Sequence, residues 1–435
     1  MMHHTRLVAM LAAFALVGAA CSSSGSSRTA PSTGAPTAGG AAATSTTPSK
    51  VVTSSRGFDG TTIKVAGIGS LGAGFTGAEV GAEARFKRFN DTNEIPGIKI
   101  QFVEMADDKT DPAVATSEVR RLVTEDQIFA IIPDLSPVNP GPYLAAQHVP
   151  FLGYGFDNAY CSQTPSTSIW GFGFNGCVVP ANPPVVPDSY GVLYKYVSTQ
   201  TGKAHPTMVI TGGDIEAGKN SARLQASSAE GAGFDIVETK GNVPQVTSDY
   251  SPYVQDWIAA DGGKPPDIVD CLLNTECIPA WAALKAAGFK GIFYQTFGNV
   301  DALVKPMAGT ITAAFYNTET SPGLTQMEAD FQAFKPGTAL LGYANVPAYF
   351  AADMFVQALK KVGHDITPEA VQQALATQTW QIQGLVGPLR YPDSAVAPTP
   401  DCAEVLADPA GTGYQVVEPY TCSTQTYRVD PKFTG

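Results

Sequence analysis

The chain reads IKVAGI over residues 63–68, a short apolar run that predicts a buried strand. A glycine-rich turn, Gly69–Gly74, follows it. The pattern then continues as helix, strand, helix and strand over residues 78–89, 98–104, 111–123 and 129–132. This order predicts a βαβαβ unit with a parallel sheet. Ligands of such sheets bind at the carboxyl ends of the strands, which places Ser70–Gly74 and Asp134–Ser136 at a binding crevice.

A second alternating block occupies residues 188–316. Its predicted strands, separated by helices, are 207–211, 234–238, 267–273, 291–295 and 311–316. The sequence predicts further helices from Leu324, over Val346–Val362 and from Pro368. Residues 384–391 again have the pattern of a strand. The two blocks predict two α/β domains.

The charge balance argues against two classes of partner. The 435 residues carry a formal net charge of −12, and no basic run extends beyond pairs such as Arg120-Arg121. Binding to nucleic acid or to an anionic membrane surface needs clustered positive charge, so we expect neither as a partner.

The first 21 residues have the pattern of an export signal. Arg6 precedes the apolar run Leu7–Val17, which is too short to span a bilayer, and small residues lead to Cys21. This resembles a bacterial lipoprotein signal peptide, which implies lipidation of Cys21 and attachment to the outer face of the cell membrane. An ordinary secretory signal with a chance cysteine is the alternative. Residues 22–57 have few large apolar side chains, so we expect a disordered tether there.

Six cysteines remain when Cys21 is set aside, and an even number in an exported chain suggests disulfides. Six cysteines allow fifteen sets of pairs. The simplest set joins neighbours: Cys161 with Cys177, Cys271 with Cys277, and Cys402 with Cys422. Metal binding is the alternative, but the chain has no CxxC motif and few histidines, so we expect no metal site.

Residues Gly67 to Gly72 match GxGxxG after a strand, the pattern of a dinucleotide-binding turn. Such a turn also needs an acidic residue about 20 positions further on, and the candidate, Glu104, lies well beyond that distance. A glycine-rich turn near another ligand therefore fits better than a nicotinamide cofactor. The sequence has no GxSxG, HExxH or P-loop motif. We expect no enzymatic activity and no cofactor.

Residues 61–391 resemble the extracellular solute-binding proteins of ABC importers, in the leucine/isoleucine/valine-binding group. The segments that carry the resemblance are Ile63–Gly77, Phe89-Asn90, Gly97–Ile100, Asp107, Asp111-Pro112, Leu122-Val123, Phe129–Ser136, Val149–Phe151 and Gly384–Leu389. The resemblance implies an α/β fold of the type I periplasmic binding protein, in which three hinge crossovers join two Rossmann-like lobes with parallel central sheets. The first lobe would comprise residues 58–185 and 318–380, and the second residues 186–317 and 381–435.

The resemblance also implies a ligand site between the lobes. Ser136 and the loop Tyr154–Asp157 match first-lobe contacts of the family, and the loops Glu216–Gly218 and Asn274–Glu276 match second-lobe contacts. The candidate ligand-binding residues are Ser70, Phe75, Ser136, Tyr154, Gly155, Phe156, Asp157, Glu216, Asn274, Thr275, Glu276 and Phe297.

Two positions depart from the family pattern. Ala217 stands where the family has a tyrosine, and Phe297 stands where it has the acidic partner of the ligand ammonium. A buried ammonium without a counter-charge costs several kcal/mol. Either Asp157 or Glu276 replaces that partner, or the ligand is not an α-amino acid. A molecule with one polar head and an apolar or aromatic body fits the remaining side chains better.

We therefore expect an exported, lipid-anchored and monomeric solute-binding protein. It would capture a small molecule between its lobes and deliver it to an ABC permease in the membrane. A ligand-sensing receptor module of the same fold and an exported nucleotide-dependent oxidoreductase are the alternatives.

Overall fold

The computed structural model describes residues 54–180, 183–244, 247–295, 305–396 and 401–433. The predicted signal peptide, the lipidation residue Cys21, most of the tether and Phe297 lie outside these ranges. Within the ranges, no helix is both long enough and apolar enough to cross a membrane.

Helices and strands alternate over residues 62–153 and 191–295, and consecutive helices and then consecutive strands follow from residue 322. The helices are α1 (Ala78–Thr92), α2 (Pro112–Thr124), α3 (Gly141–Ala146), α4 (Gly191–Thr201), α5 (Glu216–Ala232), α6 (Ser251–Ala259), α7 (Cys277–Ala286), α8 (Pro322–Phe334), α9 (Asn345–Val362) and α10 (Pro368–Leu375). The strands are β1 (Thr62–Gly69), β2 (Lys99–Asp107), β3 (Ala130–Leu135), β4 (Phe151–Gly153), β5 (Gly171–Gly173), β6 (Val185–Pro187), β7 (Thr207–Gly213), β8 (Asp235–Val243), β9 (Ile268–Leu272), β10 (Ile292–Gln295), β11 (Ile311–Ala314), β12 (Thr379–Ile382), β13 (Val386–Arg390), β14 (Asp401–Ala407), β15 (Gln415–Ser423) and β16 (Thr426–Arg428).

The first lobe is built on a parallel sheet in the order β2-β1-β3-β4-β5. Strand β1 pairs with both β2 and β3, so that Val65 lies between Phe102 and Ala130. Strands β1 and β3 are buried over nearly their whole length because apolar clusters cover both faces of the sheet. This arrangement confirms the predicted βαβαβ unit.

The glycines of the GxGxxG match serve the packing of this sheet. A Cβ on Gly67 would lie 2.4 Å from the sulfur of Met105 on β2. A Cβ on Gly69 would lie 3.2 Å from the Cβ of Leu135 on β3. Glycine at these positions therefore permits close contact with the neighbouring strands. The motif has a structural explanation that needs no dinucleotide.

Helix α9 brings the later part of the chain back to the first lobe. It is buried along most of its length and packs against α1. Gly81 of α1 permits this approach, because a Cβ there would lie 1.7 Å from the carbonyl oxygen of Asn345. Arg85 of α1 pairs with Asp353 of α9 at 2.7 Å within the same interface.

The second lobe is built on a larger sheet in the order β15-β14-β11-β10-β9-β7-β8. Strands β7 to β11 are parallel, as predicted, whereas β14 and β15 join the sheet antiparallel. The sequence pattern does not predict these last two strands. Strand β15 alternates exposed with half-buried residues and contains a proline, features that are typical of an edge strand.

Within the described residues the chain passes between the lobes after β5, after β11 and after β13, which confirms the three predicted crossovers. The hairpin of β12 and β13 packs in the first-lobe core through Trp380 and Leu389. A lobe boundary between residues 380 and 381 would divide this hairpin. We therefore propose that residues 381–396 belong to the first lobe.

Disulfides join the three neighbouring cysteine pairs that the sequence suggested. Cys161–Cys177 closes the insertion around β5, Cys271–Cys277 links β9 to α7, and Cys402–Cys422 joins directly opposed positions of β14 and β15. In the part of the chain that the structure describes, no group of three or more His, Cys, Asp or Glu side chains could hold a metal ion.

Candidate ligand-binding cleft

A cavity of about 310 Å³, here called the inner chamber, lies between the lobes at the carboxyl ends of their strands. The first lobe lines it with Ala73, Pro137, Tyr154, Phe156 and Asn175. The second lobe adds Gly213, Ile215, Gly218, Ser221, Gln225, Leu273 and Tyr294. Residues at or next to the crossovers complete it with Val186, Tyr190, Phe315 and Ala403. The volume is in the range of small-molecule sites.

Aromatic rings form the first-lobe wall of the inner chamber. Tyr154 stacks on Phe156 with ring centroids 4.5 Å apart and an interplanar angle of 13°. Phe174 meets Tyr154 edge-on at 4.8 Å. Tyr154 and Phe156 follow β4, which ends at Gly153, where a Cβ would lie 1.7 Å from the carbonyl oxygen of Asp134, and Phe174 follows β5. The wall offers a ligand apolar area and ring faces.

The hydroxyl group of Tyr154 is buried and has no hydrogen-bond partner among the described residues. Burial raises the pKa of Tyr154 well above its usual value, and Tyr343 and Tyr316 raise it further. The phenol therefore stays neutral, and the aromatic wall carries no charge.

Helix α5 presents a polar face opposite the aromatic wall. Ser221, Gln225 and Ser228 line the inner chamber at helical spacing and lie on one side of α5. The hydroxyl of Tyr190 donates to Oε1 of Gln225 and is also in hydrogen-bond contact with the carboxyl group of Asp270. Because the oxygen of Gln225 is engaged, its amide nitrogen is the group that a ligand could use.

Asn175 offers a second amide nitrogen from the first lobe. Its Oδ1 accepts a hydrogen bond from the backbone nitrogen of Gly155 at 3.3 Å. A backbone N–H group only donates, so this contact fixes which end of the amide faces Gly155. Gly155 itself has no room for a side chain, because a Cβ would lie 2.0 Å from the carbonyl oxygen of Gly176.

No charged side chain lines the inner chamber among the described residues. Asp270 contacts Tyr190 from β9, and burial raises the pKa of Asp270 to about 7. Glu404 follows the lining residue Ala403 on β14, and burial raises the pKa of Glu404 to about 7 as well. Both carboxyl groups therefore hold their protons to a higher pH than a carboxyl group in water does.

A second cavity of about 310 Å³, here called the outer chamber, adjoins the inner one. The two chambers share the lining residues Pro137, Phe156, Ile215 and Ala217. The outer chamber adds the polar residues Asn139, Asn158, Glu216 and Asn220. Nδ2 of Asn158 donates to Oε1 of Glu216 at 3.2 Å, so a hydrogen bond joins the two lobes beside this chamber.

Two of the predicted first-lobe residues, Tyr154 and Phe156, line the inner chamber. Three others, Ser70, Phe75 and Ser136, are buried and line neither chamber. Their contacts are internal: Ser70 donates to Oδ1 of Asp108 at 2.5 Å, Phe75 stacks on Tyr343 at 5.1 Å, and the hydroxyl of Ser136 accepts from the backbone nitrogen of Val138 at 3.4 Å.

Asp157 is engaged inside the first lobe. Its carboxylate accepts hydrogen bonds from the backbone nitrogens of Gly141 at 2.6 Å and Ala159 at 2.7 Å. These bonds cap the 3₁₀ helix Asn158–Tyr160 and the first turn of α3. Burial raises the pKa of Asp157 to about 6, while the backbone hydrogen bonds lower it. The carboxylate lines neither chamber, so a ligand ammonium in this arrangement has no contact with it.

Of the predicted second-lobe residues, too, some line a chamber and others do not. Glu216 lines the outer chamber. Thr275 faces the first lobe, with its Cγ2 3.1 Å from the position of a Cβ on Gly74. Glu276 accepts a hydrogen bond from the hydroxyl of Tyr250 and lines neither chamber.

Two further second-lobe candidates stay predictions. Asn274 begins the 3₁₀ helix Asn274–Glu276, next to the contact that Thr275 makes with the first lobe. Phe297, the position that departs from the family pattern, lies outside the described residues.

The polar face of α5 was not among the predicted site residues. Its signal is present in the sequence, because Ser221 and Gln225 are four residues apart on the helix that begins at Glu216. Asn175 and Tyr190 have no comparable signal. The insertion closed by a disulfide carries Asn175 to the cleft, and the first crossover carries Tyr190.

Several solved structures of bacterial binding proteins share the fold of this chain. A possible leucine/isoleucine/valine-binding protein from Rhodopirellula baltica has 15% identity and a TM-score of 0.66, covering 82% of this chain and 97% of that chain. An extracellular ligand-binding receptor from Rhodopseudomonas palustris has 18% identity and a TM-score of 0.61, covering 81% and 99%. The branched-chain amino acid transporter substrate binding protein of Streptococcus pneumoniae, in complex with isoleucine, has 17% identity and a TM-score of 0.62, covering 82% and 100%. These similarities establish a two-lobed α/β fold.

No curated protein sequence matches the chain. The family model described as periplasmic binding protein matches residues 62–398, which span the first-lobe sheet, the hairpin of β12 and β13 and most of the second lobe. The two lobes, the three crossovers and the cleft at the carboxyl ends of the strands agree with that match. The chain therefore belongs to the periplasmic binding protein family, with the type I fold.

Proposed function

We propose that this protein is an exported solute-binding protein that captures a small molecule between its lobes and delivers it to an ABC importer. Membership of the periplasmic binding protein family supports the proposal. The observation that carries it is the inner chamber, which is lined from both lobes and from the crossovers. A ligand in this position contacts both lobes at once, so its binding favours the closed arrangement over an open one.

The ligand in this proposal has a polar head and an apolar or aromatic body. The stacked rings of Tyr154 and Phe156 suit the body, and the amides of Asn175 and Gln225 suit the head. A zwitterionic amino acid would lose its hydration without meeting a charged partner among the described lining residues. Leucine, isoleucine and valine should therefore bind weakly or not at all.

Attachment to the membrane is the second part of the proposal. The signal-like segment that ends at Cys21 supports export and lipidation, and the polar tether over residues 22–57 would let the two lobes move above the membrane surface. The protein acts as a lipid-anchored monomer that meets its permease at the outer face of the cell membrane.

A ligand-sensing receptor module is the second candidate function. The observation that favours it is the fold similarity to an extracellular ligand-binding receptor. The same cleft would serve either role, and the two differ in the membrane partner. Chemical cross-linking in intact cells separates them, because the proposed function gives a product with an ABC permease and the receptor role gives one with a signalling protein.

Native mass spectrometry of protein purified without denaturation tests the capture of a small molecule. The expected result is a mass increase from one small organic molecule, which is released when the protein unfolds and rebinds to the refolded protein. A bound dinucleotide would support the oxidoreductase alternative instead. Protein that carries no molecule and binds none from a metabolite extract would overturn the proposal.

A further inference from the structure

Two amides at the inner chamber have their oxygen atoms in hydrogen bonds with neighbouring residues. Oδ1 of Asn175 accepts from the backbone nitrogen of Gly155 at 3.3 Å, and Oε1 of Gln225 accepts from the hydroxyl of Tyr190. In both amides the oxygen is engaged. The NH₂ groups remain as donors at a cavity whose described lining holds no charge.

The orientation of Gln225 depends on a carboxyl group outside the chamber. Tyr190 contacts both Gln225 and Asp270, but its hydroxyl has one hydrogen and can donate to only one of them. When Asp270 carries a proton, it donates to the oxygen of Tyr190, and Tyr190 donates to Gln225. Oδ1 of Asp270 has no partner among the described residues, which suits a neutral carboxyl group better than a carboxylate.

The surroundings of Asp270 favour the protonated form. In the sheet it lies between Ile210 of β7 and Tyr294 of β10, and Tyr190 contacts it from the residue before α4. The two tyrosines are the titratable side chains in this set, and tyrosine is neutral near pH 7. Burial raises the pKa of Asp270 to about 7. An ionised Asp270 would take the hydrogen of Tyr190, and the Gln225 amide would then turn its oxygen towards the chamber.

On the basis of the proposed function, we propose that the inner chamber selects an uncharged molecule that carries hydrogen-bond acceptors, such as carbonyl oxygens, on an apolar body. Asn175 and Gln225 donate to these acceptors from opposite lobes. The ring of Phe156 packs against the apolar body. Asp270 is a positioning residue that acts through Tyr190 and sets which end of the Gln225 amide a ligand meets.

A series of four probes with one phenyl ring tests the selectivity. Benzylacetone is a neutral ketone, phenylbutyrate an anion, phenylbutylamine a cation and phenylalanine a zwitterion. Calorimetric titration should give benzylacetone the highest affinity, by about tenfold or more, because each charged group would be desolvated without a charged partner. Equal or tighter binding of a charged member, or no preference for the ketone, overturns the inference.

Isosteric variants test the two donors. Gln225→Glu and Asn175→Asp keep the oxygen that accepts from Tyr190 or Gly155 but replace the donor with a second oxygen. Each should lower the affinity for benzylacetone by about tenfold, because an unpaired acceptor then faces the ketone oxygen. Gln373→Glu, at an exposed position of α10, is the matched control and should leave the affinity unchanged. Retained affinity in both chamber variants overturns the inference.

The pH profile separates positioning by Asp270 from a purely structural role. In the wild type, benzylacetone should bind more weakly as the pH rises through about 7, because Asp270 ionises and Gln225 turns. Asp270→Asn imitates the protonated side chain, so its affinity should be that of the acidic form and independent of pH. A wild type without pH dependence, or a variant that keeps it, overturns the positioning role.

If the protein binds and closes on a charged metabolite recovered from the cell, the solute-binding function stands and the selectivity inferred here is wrong. If the protein binds no small molecule at all, both are wrong.

Discussion

The carboxylate of Asp157 lies 2.6 Å from the backbone nitrogen of Gly141. This bond connects the loop that carries Tyr154 and Phe156 to the start of α3. The carboxylate also accepts a hydrogen bond from the backbone nitrogen of Ala159, which caps the 3₁₀ helix that follows Asp157. Asp157 therefore holds in place the loop that carries the aromatic wall of the inner chamber, and its predicted contact with a ligand stays a prediction.

Replacement of Asp157 by asparagine should reduce stability without removing ligand binding. The amide offers one acceptor where the carboxylate offers two, so a backbone N–H group of Gly141 or Ala159 is left without its partner. We expect a loss of about 1–3 kcal/mol in the free energy of unfolding. Urea unfolding followed by circular dichroism measures it. Unchanged stability together with lost ligand affinity would show that Asp157 contacts the ligand after all.

The stability should depend on pH through buried carboxyl groups. Burial raises the pKa of Asp270 to about 7, so the folded state holds this proton more tightly than the unfolded state does. The contribution of Asp270 to the free energy of unfolding is therefore fully present below pH of about 4, where this residue is protonated in both the folded and the unfolded state. It is lost as the pH rises to about 7.

Asp270→Asn isolates this effect, because all other ionisable groups are the same in the two proteins. The difference in unfolding free energy between variant and wild type should grow in favour of the variant between pH of about 4 and about 7, by up to roughly 4 kcal/mol. Urea unfolding at a series of pH values measures this difference. A constant difference across that range would mean that Asp270 is ionised in the folded protein.

The close approach of α1 and α9 should make Gly81 intolerant of a side chain. A Cβ there would lie 1.7 Å from the carbonyl oxygen of Asn345, so Gly81→Ala forces the helices apart. We expect a loss of about 1–3 kcal/mol or more in the free energy of unfolding. Gly72→Ala is the control, because no heavy atom lies within 4 Å of its Cβ position. Equal stability of the two variants would contradict the packing described here.

Membrane attachment should depend on Cys21. Lipidation of this cysteine is the hydrophobic attachment that the sequence suggests, so Cys21→Ser should move the protein from the membrane fraction to the soluble fraction. Fractionation and immunoblotting of cells measure the distribution. Wild-type protein found entirely outside the membrane fraction would refute the anchor.

Much of the fold could be predicted from local patterns. The apolar run at residues 63–68 and the helices and strands after it gave the first βαβαβ unit, because strands buried on both faces leave a clear signal. Strands β14 and β15 could not be found in this way. Strand β15 is the edge strand of the second sheet and β14 is next to it; the exposed positions of β15 alternate only with half-buried ones and a proline lies within it, so it lacks the apolar run of a buried strand.

The site was less predictable than the fold. Tyr154 and Phe156, which line the inner chamber, were predicted from the resemblance, in which the loop Tyr154–Asp157 matches first-lobe contacts of the family. Asn175, Gln225 and Tyr190 depend on how the two lobes meet, which no local pattern records. The resemblance predicted ligand contact for Asp157, and the structure shows that this residue caps the 3₁₀ helix Asn158–Tyr160, a role that is typical of an aspartate before a helical turn.

Calorimetric titration of protein stripped of its co-purified small molecule most directly tests whether the inner chamber, whose described lining holds no charged side chain, captures a ligand. The molecule recovered from the protein should bind with micromolar or tighter affinity, and Phe156→Ala should weaken it by about tenfold or more. Leucine, isoleucine and valine should give no measurable binding, because the described lining of the inner chamber offers their charged groups no partner. Micromolar binding of any of these amino acids, abolished by Glu276→Gln or Asp157→Asn, would contradict this account.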